Sequence, residues 1–168
     1  MFKKKAGIKI AVAAFMTATL TLGKLSLSWL PNIEIVTLLL FIYTAVFGWK
    51  LTMLSAFAFV LIEGAIYGFL GSWWICYLIY FTSLPLCAFV VSLNKKGGCF
   101  WYALCAATLT FSFDILTVAA DTLFYGATFY IRFLSGIYFF AMHVFGNFAI
   151  FLVAYLPLKK LLFQLKFN

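Results

Sequence analysis

Four acids, one arginine and one histidine stand in or beside the long apolar runs of this 168-residue chain, and their chemistry needs a reason. Glu34, Glu63, Asp114 and Asp121 are all of its carboxylates; Arg132 and His143 are its single residues of their kinds. A charge in hydrocarbon is costly, so each such group marks a polar cavity, a partner charge, or both. Groups of this kind hold a solute through charge-assisted hydrogen bonds. They do not form a catalytic pattern: the one histidine belongs to no H-E-x-x-H, and no serine lies in G-x-S-x-G, so an enzyme is not expected. A G-x-x-x-x-G-K-[ST] loop is also missing, so the chain does not itself cradle nucleotide phosphates. No cofactor is expected. Cys76, Cys87, Cys99 and Cys105 lack C-x-x-C spacing and read as small apolar filler, with neither a disulfide nor a metal site expected.

What positions these groups follows from composition. The chain is 67% hydrophobic and 10% charged, with a mean hydropathy of +1.13, whereas soluble domains carry about 25% charged residues. Its 12 basic and 4 acidic side chains cannot coat a compact soluble body, so lipid is the solvent. A span takes about 20 helical residues, which predicts an all-α integral membrane bundle of six transmembrane helices in one domain, residues 1–168. Charges, glycines and turn residues divide the runs. Helix 1 is expected from about Ala6 to Gly23 and helix 2 from about Ile33 to Trp49, entered through Leu30-Pro31-Asn32. Helix 3 follows from Leu51 to Leu70, helix 4 from about Trp73 to Leu93 and helix 5 from about Cys99 to Ala120. A connection carrying Asp121 and Arg132 then leads to helix 6, from about Gly136 to Leu158. The N-terminal run offers no small-x-small cleavage site and is expected to stay as helix 1.

With six spans, Lys3, Lys4, Lys5, Lys9, Lys50, Lys95, Lys96, Lys159, Lys160 and Lys166 fall on one side, and Lys24 and Arg132 on the other. Cationic loops stay on the cytoplasmic face, so both termini are expected in the cytoplasm. The net charge of +8 is this topology signal, scattered over loops and tails, and implies no nucleic-acid partner.

The chemistry then gathers in one leaflet. Glu34 begins helix 2, while Glu63 lies roughly 18 Å along outward-running helix 3. Asp114 sits in the last third of helix 5, Asp121 follows it, and His143 is about two turns into helix 6. His143 and Asn147, four apart, share a helix face, either for a solute or for an interhelical hydrogen bond. Trp73, Trp74 and Tyr77 crowd the outer start of helix 4, where they stack on a planar ligand or anchor at the interface. The inner half has basic rims, with Lys9 of helix 1 able to snorkel to the interface, and essentially no ionisable residue inside, the pattern of a pocket rather than a through-channel. Together with Asn32 at the helix 2 entry, Glu34, Glu63, Trp73, Trp74, Tyr77, Asp114, Asp121, Arg132, His143 and Asn147 are the candidate substrate-binding residues. On this reading Glu63→Gln weakens binding and spares the fold. Small residues mark close helix contacts: Ala14 and Ala18 on helix 1, and Gly64, Gly68 and Gly71 at the end of helix 3.

The length, the six spans with termini inside, the A-x-x-x-A face of Ala14 and Ala18, and the stretch Pro31-Asn32-Ile33-Glu34-Ile35-Val36-Thr37 leading to Val46-Phe47-Gly48 carry a resemblance. Over nearly its whole length the chain resembles the substrate-binding S components of energy-coupling factor (ECF) transporters, the vitamin importers of bacterial cell membranes. The resemblance implies capture of a small water-soluble vitamin or related micronutrient near the outer face. It also implies docking of the Ala14 and Ala18 face on a shared transmembrane coupling subunit, and energy from two ATPase subunits of this ABC-type importer. A cationic pyrimidine, a pyridine derivative, a flavin or part of a corrinoid all fit such a pocket. The rival reading is a stand-alone secondary carrier or channel driven by an ion gradient, with Glu63 and Asp114 carrying protons.

Overall fold

The computed structural model describes residues 2–30, 33–94 and 96–167. Six helices, and no strand, occur among them: α1 (Phe2–Ser26), α2 (Val36–Phe47), α3 (Trp49–Tyr67), α4 (Ser72–Ser92), α5 (Cys99–Tyr125) and α6 (Phe129–Phe167). Helix is what these runs must form, because it satisfies every interior N–H and C=O within the segment and needs no water. Five of the six are long and apolar enough to cross a membrane: α1 from Ala6, α3, α4, α5, and α6 as far as Leu165. The chain is therefore an all-α bundle of the multi-pass membrane type.

The sixth, α2, has 12 residues and rises only about 18 Å, against about 30 Å of hydrocarbon. Its position explains its length. α2 packs against α1, α3, α4 and α6, and nine of its 12 residues are buried, from Val36 to Val46. It begins inside the bundle rather than at its rim. Around it the core closes with edge-on aromatic pairs, Phe41 on Phe151 at 5.0 Å and Phe59 on Phe81 at 5.6 Å. The flanks are apolar as well, with Ile10, Leu22, Phe145 and Val153 each well over half exposed, which is the surface a lipid solvent requires.

Gly48 alone joins α2 to α3, at φ +89°, a conformation in which a Cβ would be strained. A different constraint holds Gly64 on α3. A Cβ there would lie 2.6 Å from Trp74 Nε1 and closer still to the Phe69 ring, two side chains packed edge-on at 5.4 Å. Gly64→Ala is thus expected to cost about 1–3 kcal/mol by overpacking and to lower the melting temperature in detergent. Unchanged melting would mean that Phe69 swings aside without cost.

Two sequence expectations need correction. The connection expected to carry Asp121 and Arg132 shrinks to residues 126–128, because α5 runs on to Tyr125 and α6 starts at Phe129. The two charges neutralise each other across that turn, so neither needs a loop. α6 also continues past Leu158 to Phe167, and α1 runs past Gly23 to Ser26, since lysine is a good helix former and does not end a helix by its charge.

Candidate functional site

α1, α3 and α5 finish at the end of the bundle where α2, α4 and α6 begin, as the contacts of Lys24 with Glu63 and Tyr77 and of Asp121 with Ser72 and Arg132 require. A cavity of about 490 Å³ lies there, within the usual range for small-molecule sites of about 300–1,000 Å³. Its polar wall includes Lys24, Glu34, Tyr77, Asp114 and His143, with the hydroxyls of Ser28 and Thr117; Phe113, Phe139 and Phe140 line it from α5 and α6.

Lys24 forms the first polar unit. Its Nζ lies 2.9 Å from Glu63 Oε2 and donates to the Tyr77 hydroxyl at 2.5 Å, 4.0 Å from the centre of that ring. Glu63 is wholly buried and borders no part of the cavity, so it reaches the site only through Lys24. An unpaired carboxylate at that depth would be expensive, and the ammonium is what makes it tolerable.

The second unit centres on His143. Its Nδ1 is 2.9 Å from Asp114 Oδ1, and its Nε2 faces Glu34 Oε1 at 3.7 Å, beyond hydrogen-bonding distance. Asp114 Oδ2 has no hydrogen-bond partner among the described residues. One turn below, Asn147 Nδ2 donates to the His143 carbonyl at 3.3 Å, which places it under the imidazole rather than on the cavity wall.

Asp121 and Arg132 form a separate clamp. Their side chains meet at 2.9 Å, and Ser72 Oγ donates to Asp121 Oδ1 at 2.7 Å, tying the ends of α4, α5 and α6 together away from the cavity. Trp74 donates from Nε1 to the Val60 carbonyl and packs on Phe69, while Trp73 packs edge-on against Tyr77 at 5.3 Å. Of the sequence candidates, Glu34, Tyr77, Asp114 and His143 share the cavity; Glu63, Asn147 and Trp73 stand behind it; Trp74, Asp121 and Arg132 do not border it. Asn32 lies outside the described residues.

Lys24 and the phenylalanines were missing from the sequence candidates. Lys24 had a readable signal: a lysine in the last turn of helix 1, at the level of Glu63, has a partner within reach. Phe113, Phe139 and Phe140 had none, since they are ordinary members of an apolar run.

Below the cavity the core is Phe41, Phe59, Phe81 and Phe151, and no Asp, Glu, His, Lys or Arg is buried there among the described residues. The buried interior beyond the cavity is packed by aromatic rings and carries no charge among the described residues. No protein-family model matches the chain, and no curated protein or solved structure does so significantly. The resemblance drawn from sequence therefore stands on its own residues.

Proposed function

We propose that the chain is the substrate-capture subunit of an ECF-type importer in a bacterial cell membrane. It takes a small water-soluble vitamin or related micronutrient from outside and delivers it with a transmembrane coupling subunit and two ATPases. The observation that carries this reading is a polar cavity at one end of an uncharged, aromatic-packed interior: a solute held there has no charged lining to follow inward, which favours movement of the whole subunit over a pore. All six helices would cross the bilayer with both termini in the cytoplasm, α2 completing its crossing through the preceding segment, of which Ile33 and Glu34 line the cavity.

The docking face fits the same account. α1 turns Ala13, Met16, Thr17 and Leu20 inward, where Thr17 Oγ1 donates to the Ser55 carbonyl and Ser55 Oγ to the Ala13 carbonyl. Ala14 and Ala18 are exposed on the opposite side. Small side chains on a lipid-facing surface let another helix approach closely. Ala14→Trp is therefore expected to abolish co-purification with the coupling subunit and ATPases while ligand affinity stays as in the wild type. A complex that survives the tryptophan would remove Ala14 and Ala18 from the interface.

The row Asp114, His143 and Glu34 favours one alternative, a secondary carrier that moves protons along these groups. The two readings part on the energy source, which uptake measurements decide.

A further inference from the structure

We infer that the captured solute is an organic cation with paired N–H donors on a flat group, an amidinium-like or aminopyrimidinium-like head. This rests on reading the cavity as a capture site and concerns only what it captures.

Charge comes first. Lys24 and His143 are the cationic candidates bordering the cavity among the described residues, and Lys24 is committed to Glu63 at 2.9 Å. That pair cancels. What remains is Glu34 and Asp114 with one imidazole between them. With both carboxylates ionised, the remainder carries two negative charges when His143 is neutral and one when it is protonated. The cavity is short of positive charge in either state, and in a low-dielectric wall such a deficit needs a counterion.

Unused acceptors come second, and they are independent of the count. The Asp114 side chain is 6% exposed, and its Oδ2 has no donor among the described residues although Oδ1 is held by His143. A buried carboxylate oxygen without a partner is costly, and one on the wall of a cavity is satisfied when a donor enters. Glu34, 14% exposed, faces His143 at 3.7 Å, too far for a hydrogen bond between them.

Shape comes third. Paired N–H groups on a planar cation can serve more than one carboxylate oxygen of the wall at once, and the rings of Phe113 and Phe140 line the same cavity, where a delocalised cation packs favourably. An anion would meet two carboxylates and a lysine already taken. A neutral solute would leave the charge deficit in place.

The test uses three molecules of one shape: benzamidine, benzamide and benzoate, which are cationic, neutral and anionic at neutral pH. Calorimetric titration of the purified full chain in detergent is expected to show benzamidine binding at least about tenfold tighter than benzamide, with benzoate weaker still. The comparison is made on the wild type, so it needs no variant to fold. Asp114→Asn should then reduce the preference for benzamidine, and Arg132→Gln should leave it intact. Equal or tighter binding of benzamide or benzoate, or binding of none of the three, overturns the assignment. Failure here is separable from failure of the importer reading. Cation preference without complex formation by the coupling subunit leaves the cation and removes the importer; complex formation with benzoate preference does the reverse.

Discussion

Glu63→Gln is expected to destabilise the folded chain by about 3 kcal/mol, seen as an earlier midpoint in a denaturing-detergent titration followed by tryptophan fluorescence. The substitution leaves Lys24, mostly buried against Tyr77, without its counterion. Removing both charges avoids that cost. Lys24→Met with Glu63→Leu should return stability to within about 1 kcal/mol of the wild type, since apolar replacements of a buried pair are close to neutral. A single Glu63→Gln variant as stable as the wild type would show that the pair carries no such strain. The sequence alone predicts a Glu63→Gln change felt in binding and not in the fold; the pairing of Glu63 with Lys24 adds an expected effect on the fold. Glu63 is a support of the wall, and Lys24 is the group at the cavity.

The second large effect separates two acids on one helix. Asp114 and Asp121 are seven residues apart on α5, two turns along nearly the same face, so periodicity assigns them equal roles. Their partners do not. Asp114→Asn is expected to weaken benzamidine binding by about tenfold to a hundredfold, the worth of one charged hydrogen-bond contact. Asp121→Asn breaks the clamp with Arg132 and Ser72, whose side chains at 28% for Asp121 and 45% for Arg132 are exposed enough for screening to limit the loss to about 1 kcal/mol of stability. Affinity should not change. Calorimetry on both variants checks the contrast, and an equal loss of affinity in each would place Asp121 back in the site.

Much of this architecture was legible before any coordinates. Apolar runs punctuated by lysines and glycines place helix α4 to within one residue at each end and α3 to within two or three, because in lipid the backbone has no alternative to helix. The errors fell where charge was taken for a loop. Asp121 and Arg132 satisfy each other across a three-residue turn, and a long-range pairing of that kind leaves no trace in local hydropathy. α2 reads as a longer run in composition, from about Ile33 to Trp49, whereas its helix covers only Val36–Phe47, with Ile33 and Glu34 of the preceding segment at the cavity. For the site, depth along each helix correctly gathered the ionisable groups at one end. Depth does not give azimuth, and azimuth decided that Asp114 faces the cavity, Glu63 stands behind Lys24 and Asn147 lies under His143.

The proposed role is capture of a solute that the chain does not move alone. Liposomes containing the purified chain, with or without an ECF coupling subunit and its two ATPases, test it directly, using the solute recovered from the wild-type protein by mass spectrometry. The account predicts stoichiometric binding but no accumulation by the chain alone, and accumulation that needs ATP and survives a protonophore once the partners are present. Accumulation by the chain alone, collapsing when the protonophore is added, would contradict it and establish the carrier instead.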